Sequence, residues 1–70
     1  MNLFMSKHAL EQSRERGIGI NEIKETIQKG AKFLQEKKIV SDYRHIRVVF
    51  KKERGNFFVL TVMIRREKNE

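Results

Sequence analysis

The spacing of apolar residues divides the chain into a helical first half and an extended second half. Up to about residue 30 the apolar residues are sparse and recur three or four positions apart, whereas beyond about residue 45 they alternate or run together. The first pattern is typical of helices that bury one face, and the second is typical of strands. The pattern therefore predicts an α+β domain in which helices precede a sheet.

Two short helices are predicted in the first half. Ser6 can serve as the N-cap of a run of helix formers over residues 7–16, and Gly17 follows as a stop. Asn21 can cap a second helix, roughly Glu22–Lys29. The apolar stripe of this second helix is predicted to face the core and consists of Ile20, Ile23 and Ile27.

Three antiparallel strands are predicted in the second half. The first lies somewhere within residues 32–40, where the pattern is ambiguous, and the other two cover His45–Lys51 and Phe57–Ile64. Residues 53–56 between them include Gly and Asn, which tolerate positive φ and indicate a hairpin. The predicted order is ααβββ, with two N-terminal helices packed on a three-stranded antiparallel sheet.

The register of the last hairpin has two solutions. A three-residue loop over residues 54–56 places the even-numbered residues of the third strand on the face of Ile46, and a two-residue loop places the odd-numbered ones there. The three-residue loop is preferred because it collects more apolar mass on one face. With either loop, the helices are expected to cover the Ile46 face, and Arg47 and Lys51 are expected on the opposite face.

Composition limits the kinds of protein that this chain can be. Its 70 residues suffice for a single domain, residues 1–70, and the absence of cysteine excludes a disulfide framework and a thiolate zinc site. No apolar run is long enough to cross a bilayer or to act as a secretory signal. A cytoplasmic protein without a membrane partner is therefore expected.

The net charge of +7 makes a polyanion the expected partner, with RNA as the foremost candidate. Most of the excess lies in the second half, where residues 36–70 carry ten basic and five acidic side chains. The anion-binding surface is therefore expected on the sheet rather than on the helices. Surface charge that serves only solubility is the alternative explanation.

His8 is the first candidate for catalysis because it lies in the opening turn of the first helix. Unpaired backbone amides at a helix start disfavour the imidazolium form and attract phosphate, so a neutral ring could accept the proton of an RNA 2′-hydroxyl. The alternative is that the ring packs on the sheet and bonds a backbone carbonyl. Arg16 lies about 12 Å further along the helix and could reach the same RNA only if the RNA is extended.

A second candidate cluster begins just before the predicted second strand. If residues 43–51 are extended, one face presents a phenol, an imidazole, a guanidinium and an ammonium in a line, those of Tyr43, His45, Arg47 and Lys51. The cations would hold an RNA backbone, while the rings stack on bases or move a proton. The alternative is an edge strand protected from aggregation by basic residues. No metal site has a recognisable spacing, and no cofactor is expected.

Several segments resemble a widespread family of short prokaryotic domains of unknown function. They are Lys7-His8-Ala9-Leu10-Glu11, Glu15-Arg16-Gly17-Ile18, Asn21-Glu22-Ile23, Ile46-Arg47-Val48-Val49-Phe50 and Val59-Leu60-Thr61-Val62. That family is similar to the BrnT toxins and, more distantly, to the RelE/ParE-like toxin superfamily, whose ribonuclease-type fold packs N-terminal helices on an antiparallel sheet. The resemblance implies an RNA-cleaving or translation-blocking toxin, an acidic antitoxin as partner, and roles for His8, Arg16 and Arg47.

The residues and the resemblance together predict a toxin-like RNA-binding protein, and metal-independent cleavage of RNA is the hypothesis for its activity. The predicted catalytic residues are His8, Tyr43 and Arg47, and the predicted nucleic-acid contacts are Arg16, Arg44, His45, Lys51 and Arg65. One alternative is a binding module without turnover. Another is an interaction domain that forms a homodimer by edge pairing of its apolar third strand. The polar tail from residue 65 onward is expected to fray.

Overall fold

The chain folds into a five-stranded sheet with two helices on one face, in a computed structural model that describes residues 1–65. The elements in chain order are β1 (Asn2–Met5), α1 (Lys7–Arg16), α2 (Ile20–Lys29), β2 (Ala31–Gln35), β3 (Lys38–Tyr43), β4 (Ile46–Glu53) and β5 (Asn56–Ile64). The strand order is β1-β5-β4-β3-β2, with β1 parallel to β5 and the other neighbours antiparallel. Of the tail that is expected to fray, residues 66–70 lie outside the described part.

The predicted order of two helices followed by three antiparallel strands is wrong, although the α+β class and the two helices are confirmed. β1 precedes the helices and pairs in parallel with β5, so that Leu3 lies beside Phe57 and Met5 beside Val59. A strand of four residues shows too little alternation to be recognised. Its partner also lies 54 positions away in the sequence, so no local turn announces the pairing.

The ambiguous segment before residue 44 contains two strands instead of one. β2 and β3 pair in antiparallel register around the two-residue turn Glu36-Lys37. Glu36 adopts the left-handed conformation, with φ 61°, which residues other than Gly, Asn and Asp rarely take. Because neither turn residue signals a hairpin, the sequence pattern merges the two strands.

The first helix has the predicted bounds and the predicted caps. The Ser6 hydroxyl accepts a hydrogen bond from the backbone N–H of Ala9 at 3.0 Å. Gly17 follows the last helical residue in the left-handed conformation, φ 66°, and its backbone N–H donates to the Arg14 carbonyl. The bounds of this helix therefore follow from local residue preferences alone.

The second helix starts two residues earlier than predicted, at Ile20, and its N-cap is Gly19 rather than Asn21. The carboxylate of Glu22 accepts a hydrogen bond from the Gly19 N–H at 2.8 Å and so fixes the start. Ile20, the first residue of this helix, is 47% exposed, whereas Ile18 lies in the core. The other two members of the predicted apolar stripe are buried as expected.

The last hairpin has a two-residue loop and a bulge, so the preferred three-residue loop is wrong. Glu53 pairs with Asn56, and the loop residues Arg54 and Gly55 both have positive φ. Further along β5 the register shifts by one residue at Leu60, which has no partner on β4.

The bulge lets both halves of β5 direct apolar side chains to the helices. Phe57 and Val59 face the helices before the bulge, and Val62 does so after it. The first helix contacts the β5 backbone just after the bulge, where the N–H of Val62 donates to Oε1 of Gln12 at 3.0 Å. The prediction that the helices cover the Ile46 face is confirmed.

Gly30 allows the end of α2 to lie directly against β3. A β-carbon at this position would clash with Oγ of Ser41 and the carbonyl of Thr26, and it would lie 2.8 Å from the carbonyl of Asp42. Ser41 is buried and donates its hydroxyl to the Thr26 carbonyl at 2.6 Å. Glycine is required for space at this position and not for its φ, which is −72°.

Gly30→Ala is expected to lower the free energy of unfolding by about 2 kcal/mol, because the added methyl group must displace backbone atoms. Urea unfolding followed by circular dichroism measures the loss. Gly19→Ala is the matched control, since its β-carbon would lie 3.7 Å from Oε1 of Glu22. We expect the control to lose less than about 1 kcal/mol. Equal losses in the two variants would contradict the role given to Gly30.

Candidate nucleic-acid interface

The face of the sheet opposite the helices, the open face, carries both rings and charges. Side-chain alternation and the strand register assign its members, except for Arg65, which is placed by its contact with Asp42. They include Phe4, Phe33, Lys38, Val40, Asp42, Arg47, Val49, Lys51, Glu53, Phe58, Thr61, Met63 and Arg65. Val40 is 1% exposed yet lies outside the core cluster under the helices, so the open face packs side chains of its own.

Exposed aromatic rings lie at both edges of the open face. At the β1 edge Phe4 is 51% exposed and stacks on Phe58, with ring centres 5.3 Å apart and an interplanar angle of 18°. At the β2 edge Phe33 is 46% exposed, and the guanidinium carbon of Arg47 lies 5.7 Å from its ring centre. An exposed aromatic ring is thus available to a ligand at each edge of the open face.

Asp42 holds two guanidinium groups together on this face. Nε and Nη2 of Arg47 donate to its two carboxylate oxygens at 2.7 and 2.8 Å, and Nε of Arg65 lies 3.4 Å from Oδ2. The hydrogen bond from Arg47 and the two positive charges hold the pKa of Asp42 below its ordinary value, although burial acts in the opposite direction. The three side chains together carry a net charge of +1, and their contacts fix the orientation of the two guanidinium groups.

Two hairpins position this cluster. Asp42 and Arg47 are cross-strand partners on either side of the β3–β4 turn, so their side chains emerge on the same face. Arg65 is fixed just beyond β5, where its backbone N–H donates to the carbonyl of His45 at 2.7 Å. Its guanidinium also donates through Nη1 to the carbonyl of Arg44 at 2.8 Å. Arg65, the first residue of the segment expected to fray, is therefore held against the β3–β4 turn.

The predicted line of side chains from residue 43 to residue 51 is interrupted by a turn. Tyr43 ends β3 and pairs with Ile46, which places it on the helix side, while Arg44 and His45 form the turn itself. The guanidinium carbon of Arg44 lies 5.2 Å from the centre of the Tyr43 ring. A single extended strand through these residues is wrong, because φ of Arg44 is 56° and the chain reverses there.

Arg47 and Lys51 are the two members of that line that lie on the open face, as predicted. Lys51 is exposed, and its cross-strand partner is Phe58, on whose ring Phe4 stacks. Arg47 lies four residues back along β4 within the Asp42 cluster. The cations and rings of this face are thus interleaved.

His8 and Arg16 lie in the helix layer, away from the open face. His8 is exposed in the first turn of α1, whose buried residues Ala9 and Ser13 face the core. Arg16 is the last residue of the helix, with Nη1 3.7 Å from the carboxylate of Glu15. The structure therefore does not bring the three predicted catalytic residues, His8, Tyr43 and Arg47, to one place.

Sequence reasoning missed the rings of Phe4 and Phe33 and the carboxylate of Asp42. Each of these assignments depends on an element that leaves little local signal, namely the short strand β1 or the glycine-free turns around β3. Four residues separate Asp42 from Arg47, which is the spacing of cross-strand partners around a two-residue turn. The opposite charges at these two positions were the one sequence signal that could have indicated the ion pair.

Within residues 1–65, no three His, Asp or Glu side chains are grouped so that they could hold a metal ion. Within the same part of the chain, neither helix has the length and apolar character needed to cross a membrane.

Asp42→Asn is expected to destabilise the fold by about 1 kcal/mol at neutral pH, because it removes charge-assisted hydrogen bonds to a partly exposed arginine. The folded-state pKa of Asp42 lies below its ordinary value of 3.8. Its contribution is therefore complete above that value and is lost as the pH falls through the folded-state pKa. Urea unfolding should show a wild-type advantage at neutral pH that shrinks below about pH 4.

Glu53→Gln supplies the control for this experiment. Glu53 is exposed on the same face and forms no ion pair with any residue from 1 to 65. Its replacement should change the free energy of unfolding by less than about 0.5 kcal/mol at either pH. An advantage of wild type over Asp42→Asn that is the same at neutral and acidic pH would show that the ion pair is not its source.

The sequence matches a family model over nearly its whole length. The model, described as "Domain of unknown function (DUF4258)", covers residues 5–64. No curated protein and no solved structure matches the chain. None of these comparisons links it to the BrnT or RelE/ParE-like toxins. The match instead shows that the chain belongs to the DUF4258 family of domains of unknown function.

Proposed function

We propose that this domain binds single-stranded RNA on the open face and does not cleave it. The observation that carries the proposal is the occurrence of exposed aromatic rings and guanidinium groups on one uncovered sheet face. An unpaired strand needs both kinds of group, because its bases stack on rings and its phosphates bind cations.

The aromatic rings are spaced for an extended strand. Phe4 and Phe33 lie on the two edge strands, which are four strand steps apart. Neighbouring strands lie about 4.8 Å apart, so the two rings are separated by about 19 Å across the sheet. Several nucleotides can cross this distance, with Phe58 as an intermediate stacking surface. A duplex keeps its bases paired and stacked, so it cannot use these rings.

The cations lie on strands between the two edge strands, with Lys51 level with Phe4 and the Asp42 cluster beyond Phe33 along the strands. The bidentate contact with Asp42 uses Nε and Nη2 of Arg47 and leaves Nη1 for a phosphate oxygen. Arg65 and Lys51 lie further along the same face. Because Asp42 orients both arginines before RNA arrives, less side-chain entropy is lost on binding.

Cleavage has less support than binding. Attack by the RNA 2′-hydroxyl needs a base, a cation and an acid around one phosphate. His8 lies in the helix layer, Tyr43 lies on the helix side of the sheet, and Arg47 lies on the open face paired with Asp42. A toxin role with an acidic antitoxin rests on the sequence resemblance alone.

Binding is measured by fluorescence anisotropy with a labelled RNA of about 12 nucleotides, a length within the usual site size of such surfaces. We expect tighter binding of this RNA than of the same sequence as a duplex. Three phosphate contacts at roughly 0.7 each predict a slope of about −2 for the logarithm of the association constant against the logarithm of the salt concentration. DNA of the same sequence tests whether the 2′-hydroxyl contributes.

Phe4→Leu and Phe33→Leu keep apolar bulk and remove the ring, and each should weaken binding by about tenfold. Ile20→Ala is the control, since it shortens an exposed apolar side chain in the helix layer, and it should leave RNA affinity unchanged. Stacking on the open face would be refuted if the two Phe variants bound single-stranded RNA as tightly as Ile20→Ala does. It would also be refuted if the wild-type protein bound single-stranded and duplex RNA equally well.

Incubation of labelled RNA with the protein in chelator tests turnover separately. Intact RNA at full binding is the expected result. Products with cyclic-phosphate ends that disappear in His8→Ala would overturn the non-catalytic proposal and support the ribonuclease instead.

A further inference from the structure

The helices leave one end of their own face of the sheet uncovered. Each helix has ten residues and is about 15 Å long, whereas the eight residues of β4 extend about 26 Å. Near the β4–β5 hairpin neither helix therefore covers this side of the sheet. A groove of about 300 Å³ lies there, and its apolar lining residues are Met1, Ile27, Ile39, Phe50 and Phe57.

Two ammonium groups flank this apolar floor. Lys52 lies on the same face as Phe57, with Nζ 5.4 Å from the ring centre. Lys32 is held at the end of α2, where its Nζ donates to the carbonyl of Gly30 at 3.0 Å. Among residues 1–65, none that lines the groove carries a carboxylate. The groove is thus apolar at its base and positive at its rim.

The apolar surface continues from the groove to the edge of the sheet. Leu34 on β2 pairs with Ile39 and shares its face, and it is the most exposed large apolar side chain in the described chain, at 75%. A surface of this kind, open to one side and continuous with a strand edge, fits a chain segment better than an enclosed small molecule.

We propose that this groove binds an acidic amphipathic segment of a partner protein. Apolar side chains of the segment fill the floor between Ile39 and Phe57, and its carboxylates lie against Lys32 and Lys52. The bound segment would cover this part of the sheet in the way that a third helix of the same chain would cover it. Charge complementarity selects this occupant, because a second copy of the chain would bring like-charged lysines together and an RNA strand would leave the apolar floor unfilled.

This binding site goes beyond the proposed RNA binding and uses the opposite face of the sheet. The two adjacent lysines of β4 separate the faces experimentally, since Lys51 lies beside Phe58 on the open face and Lys52 lies beside Phe57 at the groove. The same change of charge at neighbouring positions therefore acts on different surfaces. Either proposal can fail while the other holds.

The probe is a labelled helical peptide of about four turns, with leucines three and four positions apart on one face and glutamates beside them. Anisotropy should report saturable binding to the full chain. Replacing the leucines by serine, or the glutamates by lysine, should weaken binding by at least about tenfold. Lys52→Glu should weaken peptide binding by at least about fivefold, and Lys51→Glu by less than about twofold. For RNA, Lys51→Glu should weaken binding more than Lys52→Glu does.

Equal effects of the two lysine variants on the peptide, or equal binding of the serine peptide, would overturn the proposal, because attraction by net charge alone would then explain the binding. Sedimentation of the protein alone over a range of concentrations tests the second-copy occupant. Self-association that is abolished by Leu34→Ser and competes with the peptide would also overturn it. Circular dichroism of each variant confirms that the fold is retained.

Discussion

The extra residue at Leu60 in β5 determines which side chains of that strand lie on each face of the sheet. In an unbroken strand, residues 58 and 65 would point to opposite faces, because side chains alternate. The bulge places Phe58 and Arg65 on the open face together, while Phe57 and Val62 both face the helices. The presence of both Phe58 and Arg65 on the open face therefore depends on one inserted residue.

The first helix stabilises the irregular part of β5. Ser6 donates its backbone N–H to the Val59 carbonyl at 2.9 Å, and its hydroxyl lies 3.3 Å from the Leu60 carbonyl. Gln12 accepts a hydrogen bond from the backbone N–H of Val62 through its side-chain Oε1. These contacts begin where β1 ends, so α1 takes over the edge of β5 that β1 no longer covers. Ser6 thus both caps the helix and contributes to the geometry of the open face.

The parts of the fold that could be predicted are those with local signals. Ser6 and Gly17 define the first helix, and the alternation of β4 correctly assigns Arg47 and Lys51 to the face away from the helices. The turns at Glu36 and Arg44 could not be predicted, because both residues adopt positive φ without being Gly, Asn or Asp. The partners of Arg47 on the open face, Asp42 and Phe33, follow from those turns and so were missed as well.

The parallel pairing of β1 with β5 has a consequence for the order of folding. It joins residues 54 positions apart, whereas each of the other strand pairs closes a two-residue turn. The entropy lost on closing a loop grows with the logarithm of its length, so the three hairpins can assemble before β1 docks. The first strand in the sequence would then be the last to join the sheet.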